Sequence, residues 1–167
     1  MGPALTAADY SLPVNCIRVT IHTLGKFFES DTRSGNHASI FLLTGDEMSV
    51  RLNMTKAAPT DTMGTYTQER CLYDTSRTSL HDMDLPAVQG FTVQHVIHLI
   101  NEKGRHKYRL APSGVGCRFW VKTVIEDLKS AGYIDPVSAV QVCNGLQYNY
   151  SRDREPEFEA IVPGTFV

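Results

Sequence analysis

The spacing of apolar residues changes period partway along the chain, and that change limits the fold more than any single residue does. Val14 to Thr23 is rich in β-branched residues and sets Val19 and Ile21 on one side, a strand pattern. A polar turn cluster over 29–36 precedes a second strand, His37 to Leu43. The short Thr44-Gly45-Asp46-Glu47 connection returns the chain as a third strand, Met48 to Met54. Met63 to Tyr73 reads as a fourth, with Gly64 a candidate bulge. After Pro86 the spacing turns helical. Val93, Val96, Ile97 and Ile100 share a face between Thr92, a capping residue, and Gly104, a stop. A loop with Pro112, Ser113, Gly114 and Gly116 leads to a helix from Cys117 to Ala131, where Val121, Val124, Ile125 and Leu128 form one stripe. Asp135-Pro136 opens another helix, to about Tyr150. The stretch 157–167 reads as a last strand. Strands first and helices later predict an α+β domain over 13–167, an antiparallel sheet packed against helices, after an N-terminal tail over 1–12.

Composition narrows the function classes. The 16 basic and 18 acidic residues give a net charge of −2, with no basic run, so a nucleic-acid partner is not expected. The longest purely apolar run, Ile40 to Leu43, is far short of the roughly 20 residues that span a bilayer, so no membrane span is expected. The first residues carry neither the basic nor the apolar region of a signal peptide, which makes a cytoplasmic location the expectation. Cys16, Cys71, Cys117 and Cys143 show no CxxC spacing, and His95, His98 and His106 lack a carboxylate or cysteine at ligand spacing. No metal and no organic cofactor is expected.

The stretch Ser113 to Leu128 carries the chemistry. A glycine-rich turn ends in Cys117 at the first turn of an amphipathic helix, where free N–H groups and the helix dipole favour the thiolate. The same N–H groups can stabilise an oxyanion, and Gly116 lets a substrate carbonyl approach the backbone. His37, at the start of a strand, is the candidate base. Arg51 and Asn53 lie two apart on one face of the next strand, and either can orient the imidazole. Phe119 and Trp120 are core candidates, one of which can line an apolar substrate pocket.

A strand of the form His-x-x-Ile-Phe-Leu, a hairpin return and a Cys-x-x-Trp-Val helix start resemble the circularly permuted NlpC/P60 papain-like fold. That group includes the lecithin:retinol acyltransferase-like and PPPDE-type thiol enzymes. Its histidine strand precedes its cysteine helix, as His37 precedes Cys117. The sequence departs from it at Ala38, where an aromatic is usual, at Gly116, where Asn is frequent, and at Arg51 or Asn53, where a second His is frequent. The segments NHASIFLL, SVRLNM, GCRFWVKTVIEDL and the closing GTF also resemble a group of small fungal proteins of uncharacterised function.

The resemblance implies thiol-dependent hydrolysis or acyl transfer on an amide or ester of a small or lipid-like molecule. Cys117 would be the nucleophile, His37 the base, and Asn53 or Arg51 the orienting group. Two alternatives share the region. One is a natural-product cyclase that uses His37 and Arg51 in a pocket without a covalent step. The other is a non-catalytic binding module. The oligomeric state is not legible in the sequence.

Overall fold

A computed structural model describes residues 2–25, 35–88, 90–113 and 115–167. Five antiparallel strands form its centre: β1 (Cys16–Gly25), β2 (Gly35–Gly45), β3 (Met48–Thr55), β4 (Thr65–Cys71) and β5 (Ser79–Pro86). Their order across the sheet is β4-β3-β2-β1-β5. A four-residue helix, α1 (Ala7–Tyr10), precedes them, and α2 (Val93–Glu102), α3 (Cys117–Ser130) and α4 (Pro136–Gly145) follow. The mixed α+β architecture with an antiparallel sheet is the one the change of period calls for.

Strand alternation gives the sheet two unlike faces. Ile17, Val19 and Ile21 of β1, Ala38, Ile40 and Leu42 of β2, and Val50, Leu52 and Met54 of β3 are buried in the apolar core. Val121, Val124, Ile125 and Leu128 of α3 join them there, together with Val93, Val96 and Ile100 of α2. The residues between carry the polar face: Arg18, Thr20 and His22; His37 and Ser39; Ser49, Arg51 and Asn53. The segment 72–79 crosses this face. Tyr73 takes the Ser49 hydroxyl on its carbonyl at 2.6 Å, Asp74 takes Arg18 at 2.8 Å, and Thr78 meets His22 at 2.8 Å.

Several elements differ from the sequence expectation for identifiable reasons. The strand over 79–86 is not among the expected elements, and it carries two acidic residues, Asp82 and Asp84. In the sheet they face Thr20 and Arg18, with bonds of 2.7 Å each, so their charge is compensated across the strands. Gly64 is not a bulge within β4. There the chain leaves the sheet, its N–H donating to the Tyr108 carbonyl at 2.8 Å. The helix α4 begins on its Asp135 cap but ends at Gly145 rather than near Tyr150. The Asn36 amide draws the chain away, accepting from the Tyr150 N–H at 2.7 Å and donating to its carbonyl at 3.0 Å. In place of one last strand there are two ribbons: β7 (Tyr148–Asn149) with β8 (Glu157–Phe158), and β6 (Tyr108–Arg109) with β9 (Thr165–Phe166). Pro163, between β8 and β9, has no N–H to continue a ladder. The expected tail over 1–12 is docked where it is described. The Pro3 carbonyl accepts from Arg70 at 3.1 Å, and Leu5, Tyr10 and Leu12 pack on the core. Residues 29–34 of the expected turn, and Gly114, lie outside the described residues.

Candidate active site

Where β2 and β3 part, a gap opens at the end of the sheet. Their ladder stops at Ile40–Leu52, while Asn53, Met54 and Thr55 remain paired with β4 alone. The N–H of Ala38 is thereby left without a β3 partner, and the N-terminus of α3 fills the space: the Cys117 sulfur takes the Ala38 N–H. Cys117 is half-buried, and its helix is capped by Gly116 at φ 141°.

His37 reaches the same point from the polar face. Its Nε2 stands 2.6 Å from the Asn53 carbonyl oxygen. An amide oxygen only accepts, so Nε2 carries a proton in either charge state and Nδ1 is the nitrogen that titrates. Burial drives the imidazole toward neutrality, but a hydrogen bond to Cys117, the charge of that sulfur and the Asn53 bond outweigh it, and His37 holds its proton above the ordinary histidine range. For Cys117 the signs mirror this. Burial pushes the thiol up, while the bond to His37, the imidazolium charge, the Ala38 N–H and Arg118 pull it below its usual value. Each member of the pair favours the charged form of the other, which is the condition for a thiolate–imidazolium pair.

Between the two orienting candidates the geometry is unambiguous. Asn53 bonds the imidazole, whereas Arg51 forms an ion pair with Glu69 and touches the site only through its charge, which works against the imidazolium. Trp120 does not line a pocket. It is fully buried, its indole N–H donates to the Arg105 carbonyl at 2.8 Å, and its ring leans on Tyr66. Its position four residues before Val124 widens the buried stripe of α3 by one residue. Phe119 is half-buried against the core and lies 6.3 Å from the Phe166 ring. Gly116 is required as glycine twice over, by its positive φ and because a Cβ there would sit 2.8 Å from the Tyr108 hydroxyl.

Two contributors, the Ala38 N–H and Tyr108, carry no signal in the sequence, and a third, His22, is readable there only as a residue at the end of the first strand that can face the site. The Ala38 N–H is backbone and leaves no residue signature. Tyr108 bonds the Gly116 carbonyl at 2.8 Å. His22, cross-strand partner of His37, stacks on it with ring centres 6.1 Å apart. Both His22 nitrogens are engaged, Nδ1 with Thr78 at 2.8 Å and Nε2 with Ser39 at 2.6 Å. Burial first, then the charges of His37 and Arg51, lower its pKa to about 4, so it is neutral where His37 is charged. The alternation of Arg18, Thr20 and His22 with the buried Ile17, Val19 and Ile21 puts it on the His37 face.

Two further histidines, His95 and His98, lie on α2. His95 Nδ1 accepts the Thr92 N–H at 2.9 Å at the start of α2, and His98 is exposed beside Glu102. Among the described residues no group of three or more His, Cys, Asp or Glu side chains is placed to hold a metal ion. No helix among them is long and apolar enough to cross a membrane.

Compared with known families, residues 17–167 match the family model described as a domain of unknown function (DUF7770). No curated protein and no solved structure matches the chain.

Proposed function

The chain belongs to the DUF7770 family, and from that premise we propose that it is a thiol-dependent acyl enzyme, a hydrolase or acyltransferase acting on an ester or amide of a small or lipid-like molecule. One observation carries the reading: His37 stands between Asn53 and Cys117, with the imidazole pKa raised and the thiol pKa lowered. A histidine strand preceding a cysteine helix agrees with the permuted papain-like fold, and that resemblance is part of the proposal.

In this mechanism the Cys117 thiolate attacks the substrate carbonyl carbon. A carbon–sulfur bond forms and the carbonyl π pair moves onto oxygen. The N–H of Cys117, at the positive end of α3, faces that oxyanion. The carbonyl re-forms as the bond to the leaving group breaks, and the departing oxygen or nitrogen takes the proton from His37 Nδ1. Water or an acceptor hydroxyl then attacks the thioester, gives its proton to Nδ1 and releases the thiolate. Asn53 holds the ring in register through both steps. The cyclase alternative needs Arg51 as an available acid or hydrogen-bond donor, and its pairing with Glu69 makes the acyl reading the better supported one.

An activated ester tests this without knowledge of the natural substrate. Treatment with p-nitrophenyl acetate should place an acetyl group on the Cys117 peptide of the native protein. His37→Ala should slow that labelling, and Cys117→Ala should abolish it. Acetylation spread evenly over the four cysteines, or absent from Cys117, would overturn the reading.

A further inference from the structure

The Gly116–Cys117 peptide is gripped from one side more firmly than a helix start requires. The Gly116 carbonyl already accepts the first helical bond, from the Trp120 N–H at 3.1 Å. The Tyr108 hydroxyl donates to the same oxygen at 2.8 Å. That hydroxyl in turn accepts the Gly164 N–H at 2.9 Å. A chain of three polar groups therefore runs from the C-terminal segment to the peptide whose N–H belongs to Cys117.

We propose that Tyr108 is a positioning residue for the reaction: its hydroxyl, set by Gly164, fixes and polarises the Gly116–Cys117 peptide so that the Cys117 N–H is a stronger donor to the developing oxyanion. The inference rests on the acyl reading above. The physical basis is the conjugation of the peptide unit. Electron density drawn onto the carbonyl oxygen by two donors leaves the N–H of the same plane more positive, and a donor that is itself hydrogen-bonded draws more strongly.

The surroundings keep this donor in place. Tyr108 is fully buried, and burial, offset in part by the Gly164 N–H and reinforced by the nearby Cys117 charge, pushes its hydroxyl up to about 12, so it retains its proton at working pH. Gly164 is the residue that the close approach demands, since a Cβ there would overlap the Tyr108 oxygen and the Arg109 carbonyl. Phe166 packs on the Tyr108 ring at 4.8 Å, with the Arg105 guanidinium 4.6 Å over Phe166. The closing Gly-Thr-Phe motif is thus the clasp on Tyr108.

Two reagents separate positioning from general damage. Acetylation by p-nitrophenyl acetate passes through an oxyanion, as the carbon–sulfur bond forms and p-nitrophenolate then leaves. Alkylation by iodoacetamide displaces iodide at a saturated carbon and forms no oxyanion. The ratio of the two rates at Cys117, at one pH, therefore reads the donor alone. Tyr108→Phe should lower the ratio roughly three- to tenfold, less than the loss of a whole oxyanion donor, with alkylation changed less than about twofold. A 3,5-difluorotyrosine at position 108, a stronger donor of nearly the same shape, should raise the ratio and covers the case in which the Phe variant folds poorly. An unchanged ratio in both proteins, or a ratio that moves the same way in both, would overturn the proposal. A wild-type Cys117 no more reactive toward iodoacetamide than Cys16, Cys71 or Cys143 would instead overturn the acyl reading beneath it.

Discussion

Asn53 and Arg51 share a strand face, yet only the amide reaches the imidazole. The reason is what each residue meets across the sheet. Glu69, opposite Arg51 on β4, captures the guanidinium, while the parting of β2 from β3 leaves Asn53 facing the His37 ring. Asn53→Ala removes a bond that favours the imidazolium, so the His37 pKa should fall and the Cys117 pKa should rise with it. A rise of about one unit would cut the thiolate fraction at pH 6 by roughly tenfold, readable as slower alkylation of Cys117. Glu69→Gln should act in the same direction, because it leaves the Arg51 charge uncompensated. His22 makes a separate prediction. Its folded pKa of about 4 lies below the ordinary 6.5, so the unfolded chain takes up the proton first as pH falls. The stability His22 contributes is fully present above pH 6.5 and is lost between 6.5 and 4, by about 2–3 kcal/mol. Urea titrations of the native protein and His22→Gln across that window should show the smaller loss in the variant. Equal losses would show that His22 is not held neutral in the fold.

At the scale of elements, the helix α3 carries Cys117, the proposed nucleophile, at one end and the core stripe along its length. Leu128 is fully buried in that stripe, eleven residues beyond Cys117. Leu128→Ala should cost about 2–5 kcal/mol in denaturant titration, as a core truncation that leaves a cavity. A loss below about 0.5 kcal/mol would mean that the helix is not anchored there. The existence and the faces of α2, α3 and of β1 to β4 were readable, because burial on one side dictates the spacing of apolar residues. Elements defined by polar partners were not. The strand β5 depends on Arg18 and Thr20 compensating Asp82 and Asp84, and that requires knowing the register. The end of α4 depends on Asn36, a residue 109 positions before Gly145 in the chain. A side chain that replaces a ladder partner at such a distance leaves no local pattern.

In the molecule as a whole, the site draws on the start of β2, the last residues of β3, the cap of α3 and the C-terminal clasp, so it exists only when the full domain is assembled. The sequence placed Cys117 at a helix start and His37 at a strand start, because glycine, polar turn and apolar spacing mark such positions. It could not place Tyr108, whose role runs through a backbone carbonyl; Trp120 is the core residue its apolar character predicts, with its indole N–H satisfied inside the core. The pairing of thiolate and imidazolium is the central claim, and the other three cysteines provide its internal control. Burial raises the thiols of Cys16 and Cys143, in the opposite direction to Cys117. The direct measurement is the rate of iodoacetamide alkylation at each cysteine from pH 5 to 9, followed by mass spectrometry in the native protein and in His37→Ala. Cys117 should react with a midpoint below the roughly 8.5 of a free thiol, ahead of the other cysteines, and His37→Ala should move that midpoint upward. A Cys117 that titrates with or above the others in the folded protein, or one indifferent to His37, would contradict the account.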